Sequence, residues 1–173
     1  MSWWSTRANR DQPQLELDRS PIEIVLLMAG GIAVVLHFLT VIYYWNQLPE
    51  QVPIHVALSG EPDEWGSRTW LIALPLLAAV AWGGLTAMLR IPHRYNYPWP
   101  ITPENARRQY RLARTMIAAL SASIAALFLM MTLEMCRLAL GLSSVVGPYW
   151  PILILGCLGV LLIWYFVSAH RAR

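Results

Sequence analysis

Residues 22–44 read IEIVLLMAGGIAVVLHFLTVIYY, a long apolar run that carries one carboxylate and one histidine. A helix needs about 20 mainly apolar residues to cross the hydrocarbon core of a bilayer, and this run is long enough. Comparable runs follow at residues 69–89, 115–140 and 148–169. We therefore predict an all-α integral membrane protein with four transmembrane helices.

The composition favours the same class of protein. Hydrophobic residues make up 57% of the chain and charged residues 13%, whereas an ordinary soluble domain carries roughly 25% charged residues. So little polar surface would not cover a soluble core. We divide the chain into a polar tail at residues 1–21 and a single four-helix membrane domain at residues 22–173.

The arginines predict how the helices are oriented. Lysine is absent, and between the second and third spans lie Arg90, Arg94, Arg107, Arg108, Arg111 and Arg114. The loop between the first two spans holds only Arg68. Because basic loops stay in the cytoplasm, we predict cytoplasmic termini and an ordered external loop after the first span. The sequence pI near 9.1 then reflects topology, and we expect no nucleic-acid partner.

The segment before the third span carries helix-start signals. Thr102 suits an N-cap, Pro103 suits the first helical position and Glu104 suits the first turn, which predicts one helix of about 38 residues with its first turns outside the bilayer. Its four arginines suit the phosphates of an anionic inner leaflet, or alternatively an acidic partner protein. They are Arg107, Arg108, Arg111 and Arg114.

Three ionisable side chains, His37, Glu134 and Arg137, fall well inside the predicted spans, and Glu23 lies at the edge of the first span. Such residues are costly in lipid and usually face each other or the interior of the bundle. Glu134 and Arg137 are spaced i,i+3, and His37 lies at a similar depth, so we predict one polar cluster. It either clamps the first and third helices together or forms a proton or ion site. Small residues at Gly30, Gly31, Gly83, Gly84 and along the third span predict close helix packing.

The predicted external loop, residues 48–70, combines stiffening and turning residues. Pro49 and Pro53 favour an extended path, and Gly60 and Gly66 favour turns. His55, Asp63 and Glu64 are metal-type ligands, but they lack the spacing of a metal motif, and we expect turn and cap roles for them. No nucleophile–base arrangement is visible, so we expect no enzyme activity, metal or cofactor.

The loop also carries a family resemblance. WNQLPEQVPIH at residues 45–55, followed by GEPDEWGS at residues 60–67, resembles the signature LPxxIPxHxxxxGxxDxWGS of the bacterial membrane domain of unknown function sixteen-forty-eight. Residues 96–114, NYPWPITPENARRQYRLAR, resemble a segment of its shorter members. The binding candidates that the motif supplies are Pro49, Pro53, His55, Gly60, Asp63, Trp65 and Gly66.

The resemblance implies a relation to immunity proteins against a sporulation-delaying toxin, in which this domain is N-terminal. It also implies a location in the bacterial inner membrane. Those proteins protect the producing cell from a secreted peptide and hold a cytoplasmic repressor at the membrane. We accordingly expect a non-enzymatic multi-pass protein that binds a peptide or protein, in immunity, in sensing or as an accessory subunit. The alternative is a small transporter or ion-coupled component that uses His37, Glu134 and Arg137. The sequence leaves the oligomeric state open.

Overall fold

The computed structural model describes residues 12–57, 59–145 and 147–173, so residues 1–11 of the predicted polar tail lie outside the described residues. The described part contains four long helices and one β-hairpin. The elements are α1 (Pro21–Tyr44), β1 (Gln51–Val56), β2 (Pro62–Ser67), α2 (Trp70–Met88), α3 (Ala106–Ala139) and α4 (Trp150–Arg171).

The four helices match the predicted spans closely. In the described residues, each is long and apolar enough to cross a membrane. Large apolar side chains on the outside of the bundle are exposed, among them Val25 on α1, Val80 on α2 and Ile163 on α4. A lipid environment accounts for this exposure, because lipid tails solvate apolar side chains. The fold therefore indicates a multi-pass membrane protein, as the sequence predicts.

The prediction of an all-α fold is wrong in one element, because the loop after α1 is a β-hairpin. Strands β1 and β2 pair antiparallel, with irregular register around His55. Gly60 supplies the turn with a φ of +86°, a conformation that side-chain-bearing residues rarely adopt. At Gly66 a Cβ atom would approach Ile54 Cδ1 to 2.9 Å. The glycines of the family motif thus build the hairpin.

The hairpin is docked on one end of the helix bundle, called here the hairpin end. Val52 is fully buried and belongs to an apolar cluster with Leu48, Leu71 and Met135. Arg68 fixes the entry and exit of the hairpin. Its Nη1 donates hydrogen bonds to the carbonyl oxygens of Trp45 and Leu48 at 3.3 and 3.1 Å, and its guanidinium lies 4.9 Å from the Trp45 ring centroid.

Helix α1 starts with a reciprocal cap. The Glu23 amide donates to Ser20 Oγ at 3.3 Å, and the Ser20 amide donates to Glu23 Oε2 at 3.4 Å, with Pro21 at the first helical position. This capping box satisfies amides that would otherwise lack partners at the helix start. The capping box also fixes the position of the Glu23 carboxylate. Its Oε1 atom, which does not bond Ser20, can therefore bind another residue.

The predicted start of α3 at Thr102 is wrong, because the helix begins at Ala106 with Asn105 as the flanking residue. Asn105 Oδ1 accepts a hydrogen bond from the Thr102 amide at 2.9 Å, and Asn105 Nδ2 donates to the Pro100 carbonyl at 3.1 Å. These side-chain bonds close a turn over residues 102–105. The Asn105 amide donates in return to Thr102 Oγ1 at 3.4 Å, and the Ala106 amide donates to the Thr102 carbonyl at 2.9 Å. Thr102 thus makes the bonds of a capping residue, but the regular helix of 34 residues begins only after this turn.

Helix α3 is the central element, since α1, α2 and α4 all pack against it. A Cβ atom added to Gly30 on α1 would lie 2.6 Å from the Trp82 ring and 3.2 Å from Ala122 Cα. Gly30 therefore allows α1 to approach both neighbours closely. The same role predicted for Gly83 and Gly84 is wrong, because a Cβ atom at either position would meet nothing within 4 Å.

The opposite end of the bundle, called here the tail end, is held by buried polar bonds. Arg114 donates from Nη2 and Nε to Glu23 Oε1 at 2.7 and 3.0 Å, and from Nη1 to the Leu17 carbonyl at 2.8 Å. Gln109 Nε2 donates to the Ala169 carbonyl at 2.8 Å and so joins α3 to α4. Nearby, burial raises the pKa of Tyr95 to about 12, with an opposing contribution from Arg114.

Candidate functional site

A cavity of about 120 Å³ lies between the hairpin and the helices and is called here the hairpin pocket. Strand β1 supplies one wall, α3 the facing wall, and the α3–α4 connection and α4 close the side. The lining residues are Ile54, His55, Val56, Met130, Met131, Glu134, Met135, Ser144, Gly147 and Ile154. Cavities on the order of this size admit a benzene-sized group when their walls are apolar.

The spacing of residues on α3 explains why the pocket wall that faces β1 is apolar apart from one charged side chain. Met131 and Met135 are four residues apart, as are Met130 and Glu134, so two neighbouring rows of the helix face β1. Methionine is flexible and polarizable and fits irregular partners better than branched side chains do. The wall is therefore suited to an apolar group whose shape varies.

Glu134 is the carboxylate of this pocket. It accepts hydrogen bonds from the Ser144 hydroxyl and from the Val145 amide, the latter at 3.1 Å to Oε1. Within the described residues, the ion pairs are His55–Asp63 and Arg114–Glu23, so Glu134 has no cationic partner there. The site thus presents a negative charge within an otherwise apolar lining.

His55 and Asp63 form the rim of the pocket. His55 Nδ1 lies 2.6 Å from Asp63 Oδ1, and the two side chains are 62% and 48% exposed. Glu64 is the register partner of His55 on β2. The hairpin therefore brings together two of the three metal-type ligands considered in the sequence, and the described residues contain no group of three or more histidine, cysteine or acidic side chains that could hold a metal.

The other motif residues are structural or exposed. Pro53 is fully buried, while Trp65 is 51% exposed at the hairpin surface. Pro49 is exposed where the chain leaves α1. Gly60 and Gly66 shape the hairpin as described above. Of the seven binding candidates that the motif supplied, only His55 lines the pocket, and the neighbouring motif residue Ile54 lines it as well.

The predicted cluster of His37, Glu134 and Arg137 is wrong, because each side chain binds a different partner. His37 is fully buried, and its Nε2 lies 2.5 Å from Thr132 Oγ1. Arg137 Nη2 donates to the Ser143 carbonyl at 3.1 Å. Thr132 and Glu134 are two residues apart and so do not share a helix face. His37 does join α1 to α3, as the clamp interpretation predicted, but through Thr132.

Thr132→Val should lower the free energy of unfolding by about 1 kcal/mol, the usual size of an interhelical hydrogen bond in a membrane protein. The variant keeps the shape of the side chain and removes the partner of His37 Nε2. Unfolding by denaturant in mild detergent measures the loss. Thr115→Val is a matched control, because the Thr115 hydroxyl bonds only within its own helix, to the Arg111 carbonyl. Equal losses for the two variants would contradict an interhelical role.

The four arginines predicted to contact lipid phosphates divide into two groups. Arg107, Arg108 and Arg111 are exposed on the first turns of α3, as that prediction requires. The prediction of a lipid contact is wrong for Arg114, because this side chain is buried and paired with Glu23. The sequence did show Glu23 at the edge of the first span, but the pair joins residues 91 apart, which no local pattern indicates.

The comparisons with known proteins bear on the same region. Residues 32–85 match the family model of a domain of unknown function (DUF1648). The match confirms the domain predicted from the loop motif. It spans the second half of α1, the hairpin and most of α2, while residues 96–114 lie beyond it. DUF1648 therefore supplies one wall of the hairpin pocket, and α3 and α4 supply the rest.

A relative described as an uncharacterized protein of Archaeoglobus fulgidus is 43% identical over 56 residues, 32% of this chain. The aligned residues make up 31% of the relative's length, so the chain spans about a third of it. No solved structure matches this chain.

Proposed function

We propose that the protein is a non-enzymatic multi-pass membrane protein that binds an apolar segment of a peptide or protein partner in the hairpin pocket. The observation that carries the proposal is a preformed cavity between β1 and α3, lined by methionines and aliphatic side chains with few polar groups. Binding sites for small groups and peptide anchors are commonly concave and apolar in this way. Toxin immunity, membrane sensing and service as an accessory subunit are three forms of such a role.

The site-specific test is photocrosslinking in native membranes. A benzophenone amino acid at His55, on the exposed rim of the pocket, should give a discrete adduct, and the same group at Val80, 73% exposed on α2, should give lipid adducts only. Met131→Trp fills the cavity and should remove the His55 adduct. An adduct that persists with Met131→Trp, or that forms equally from Val80, would contradict the proposed site.

We further propose that the hairpin lies outside the cytoplasm, since the exposed arginines at the start of α3 favour the cytoplasmic side. In a Cys157→Ser background, Glu61→Cys should react with an impermeant maleimide in intact cells. Arg108→Cys should react only after permeabilisation. The reverse pattern would contradict this orientation and would place the pocket on the cytoplasmic side.

The transporter alternative receives less support. It depended on His37, Glu134 and Arg137 acting together, and their hydrogen bonds go to Thr132, to Ser144 and Val145, and to Ser143. A proton path needs connected titratable steps across the bilayer. We therefore retain the binding role as the proposed function.

A further inference from the structure

We infer that the hairpin pocket selects a ligand in which an apolar group is joined to a positive charge, such as an apolar peptide segment bearing a lysine side chain. The inference rests on the proposed function and specifies the chemistry of its ligand. Two observations carry it: a carboxylate without an ion pair in a mainly apolar cavity, and a neighbouring arginine that bonds a backbone carbonyl and not that carboxylate.

The first observation concerns Glu134. A carboxylate among apolar groups is costly unless it is paired or hydrogen-bonded. The Ser144 hydroxyl and the Val145 amide donate hydrogen bonds to it. Its second oxygen receives only a 3.2 Å contact from the same Val145 amide. The carboxylate is held in place and retains the capacity to accept a bond from a cationic ligand.

The second observation concerns Arg137, one turn along α3 from Glu134. This spacing normally allows an ion pair, yet Arg137 Nη2 donates to the Ser143 carbonyl. The Leu142 amide in turn donates to the Arg137 carbonyl at 2.9 Å, and Gly141 ends the helix with a φ of +71°. The turn after α3 therefore engages the Arg137 guanidinium, which makes no ion pair with Glu134 among the described residues, and so leaves that carboxylate to a ligand.

The rim of the pocket also favours a positively charged ligand over an anionic one. Asp63 lies against His55 Nδ1, so a neutral His55 leaves this pair with a negative charge and a protonated His55 leaves it neutral. In neither state does the pair give the rim a net positive charge. An anionic ligand would meet Glu134 without compensation, which is costly inside an apolar cavity.

The test uses small probes of matched size: pentylamine, pentanol and pentanoate. The protein carries ¹³C-methyl methionine and is held in nanodiscs of zwitterionic lipid. The methyl signals of Met130, Met131 and Met135 report the pocket, and that of Met116, at the tail end of the same helix, reports non-specific partitioning into lipid. We expect the pocket signals to titrate at about tenfold lower concentration of pentylamine than of pentanol, as a charged hydrogen bond implies, and pentanoate to be weakest.

Glu134→Gln is the matched variant, because the amide oxygen still accepts from Ser144 and Val145 while the charge is lost. It should bring the pentylamine titration to that of pentanol. If pentanol and pentylamine bind equally well to the wild-type protein and to Glu134→Gln, the inferred preference for a positive charge is wrong. The hairpin pocket as an apolar binding site is then still supported. If no probe moves the pocket methyls more than Met116, the proposed function itself fails.

Discussion

Arg114→Ala should destabilise the protein by about 3–5 kcal/mol, the cost of leaving one partner of a buried ion pair uncompensated. Glu23 and Arg114 have side chains that are only 3% and 7% exposed. Removing the guanidinium leaves the Glu23 carboxylate buried and also frees the Leu17 carbonyl. Because a domain is held by only about 5–15 kcal/mol in total, a loss of this size should reduce the yield of folded protein.

The measurement is the unfolding transition in mild detergent, with Arg108→Ala as control. Arg108 lies on the same helix and is exposed, so its loss should change stability by no more than about 0.5 kcal/mol. Glu23→Gln keeps the residue type that completes a capping box and removes the charge, so it isolates the ion pair from the cap. If Arg114→Ala and Arg108→Ala unfold at the same denaturant concentration, the Glu23–Arg114 ion pair does not stabilise the tail end.

The paired replacement Glu23→Leu with Arg114→Met provides a second test. Apolar residues of similar volume at both positions leave no buried charge, and such replacements are often neutral or stabilising. The double variant should therefore unfold at higher denaturant concentration than Arg114→Ala. A double variant less stable than Arg114→Ala would indicate that the cap and the Leu17 contact, more than the charge, stabilise this end.

The sequence predicted the helices well because a span depends on length and hydropathy, which are local properties. The hairpin was harder to predict. Pro53 and Pro62 lie within its strands, and proline usually argues against a strand in the interior of a sheet. In a two-stranded hairpin both strands are edges, so proline is tolerated, and burial of Val52 and Pro53 against the bundle stabilises the pairing.

The polar side chains show a different limit of prediction from the sequence. The sequence gives the depth of a residue along its helix, but it does not give the rotation of that helix about its axis. His37 and Glu134 have similar depths, yet α3 turns Thr132 toward His37 and Glu134 toward Ser144. The pocket was missed for the same reason, although the i,i+4 spacing of Met131 and Met135 was a usable signal for one wall.

Gly30→Ala should lower the stability of the protein and Gly83→Ala should not, although each adds one methyl group to a glycine inside a helix. At Gly30 the new Cβ would lie 2.6 Å from the Trp82 ring and 3.2 Å from the backbone of Ala122. The Trp82 ring could rotate, but the α3 backbone could not move without separating α1 from α3. Overpacking of this kind costs about 1–3 kcal/mol, and Gly30→Val should cost more.

At Gly83 nothing lies within 4 Å of the added Cβ. Alanine is the better helix former by about 1 kcal/mol in water, so Gly83→Ala should be neutral or slightly stabilising. Denaturant unfolding in the same detergent compares the two variants directly. Trp82→Leu combined with Gly30→Ala should recover part of the loss by removing the ring that the methyl group meets. If Gly30→Ala is as stable as Gly83→Ala, α1 does not pack against Trp82 and Ala122 at the distance described, and the close approach of α1 to α3 must be rejected.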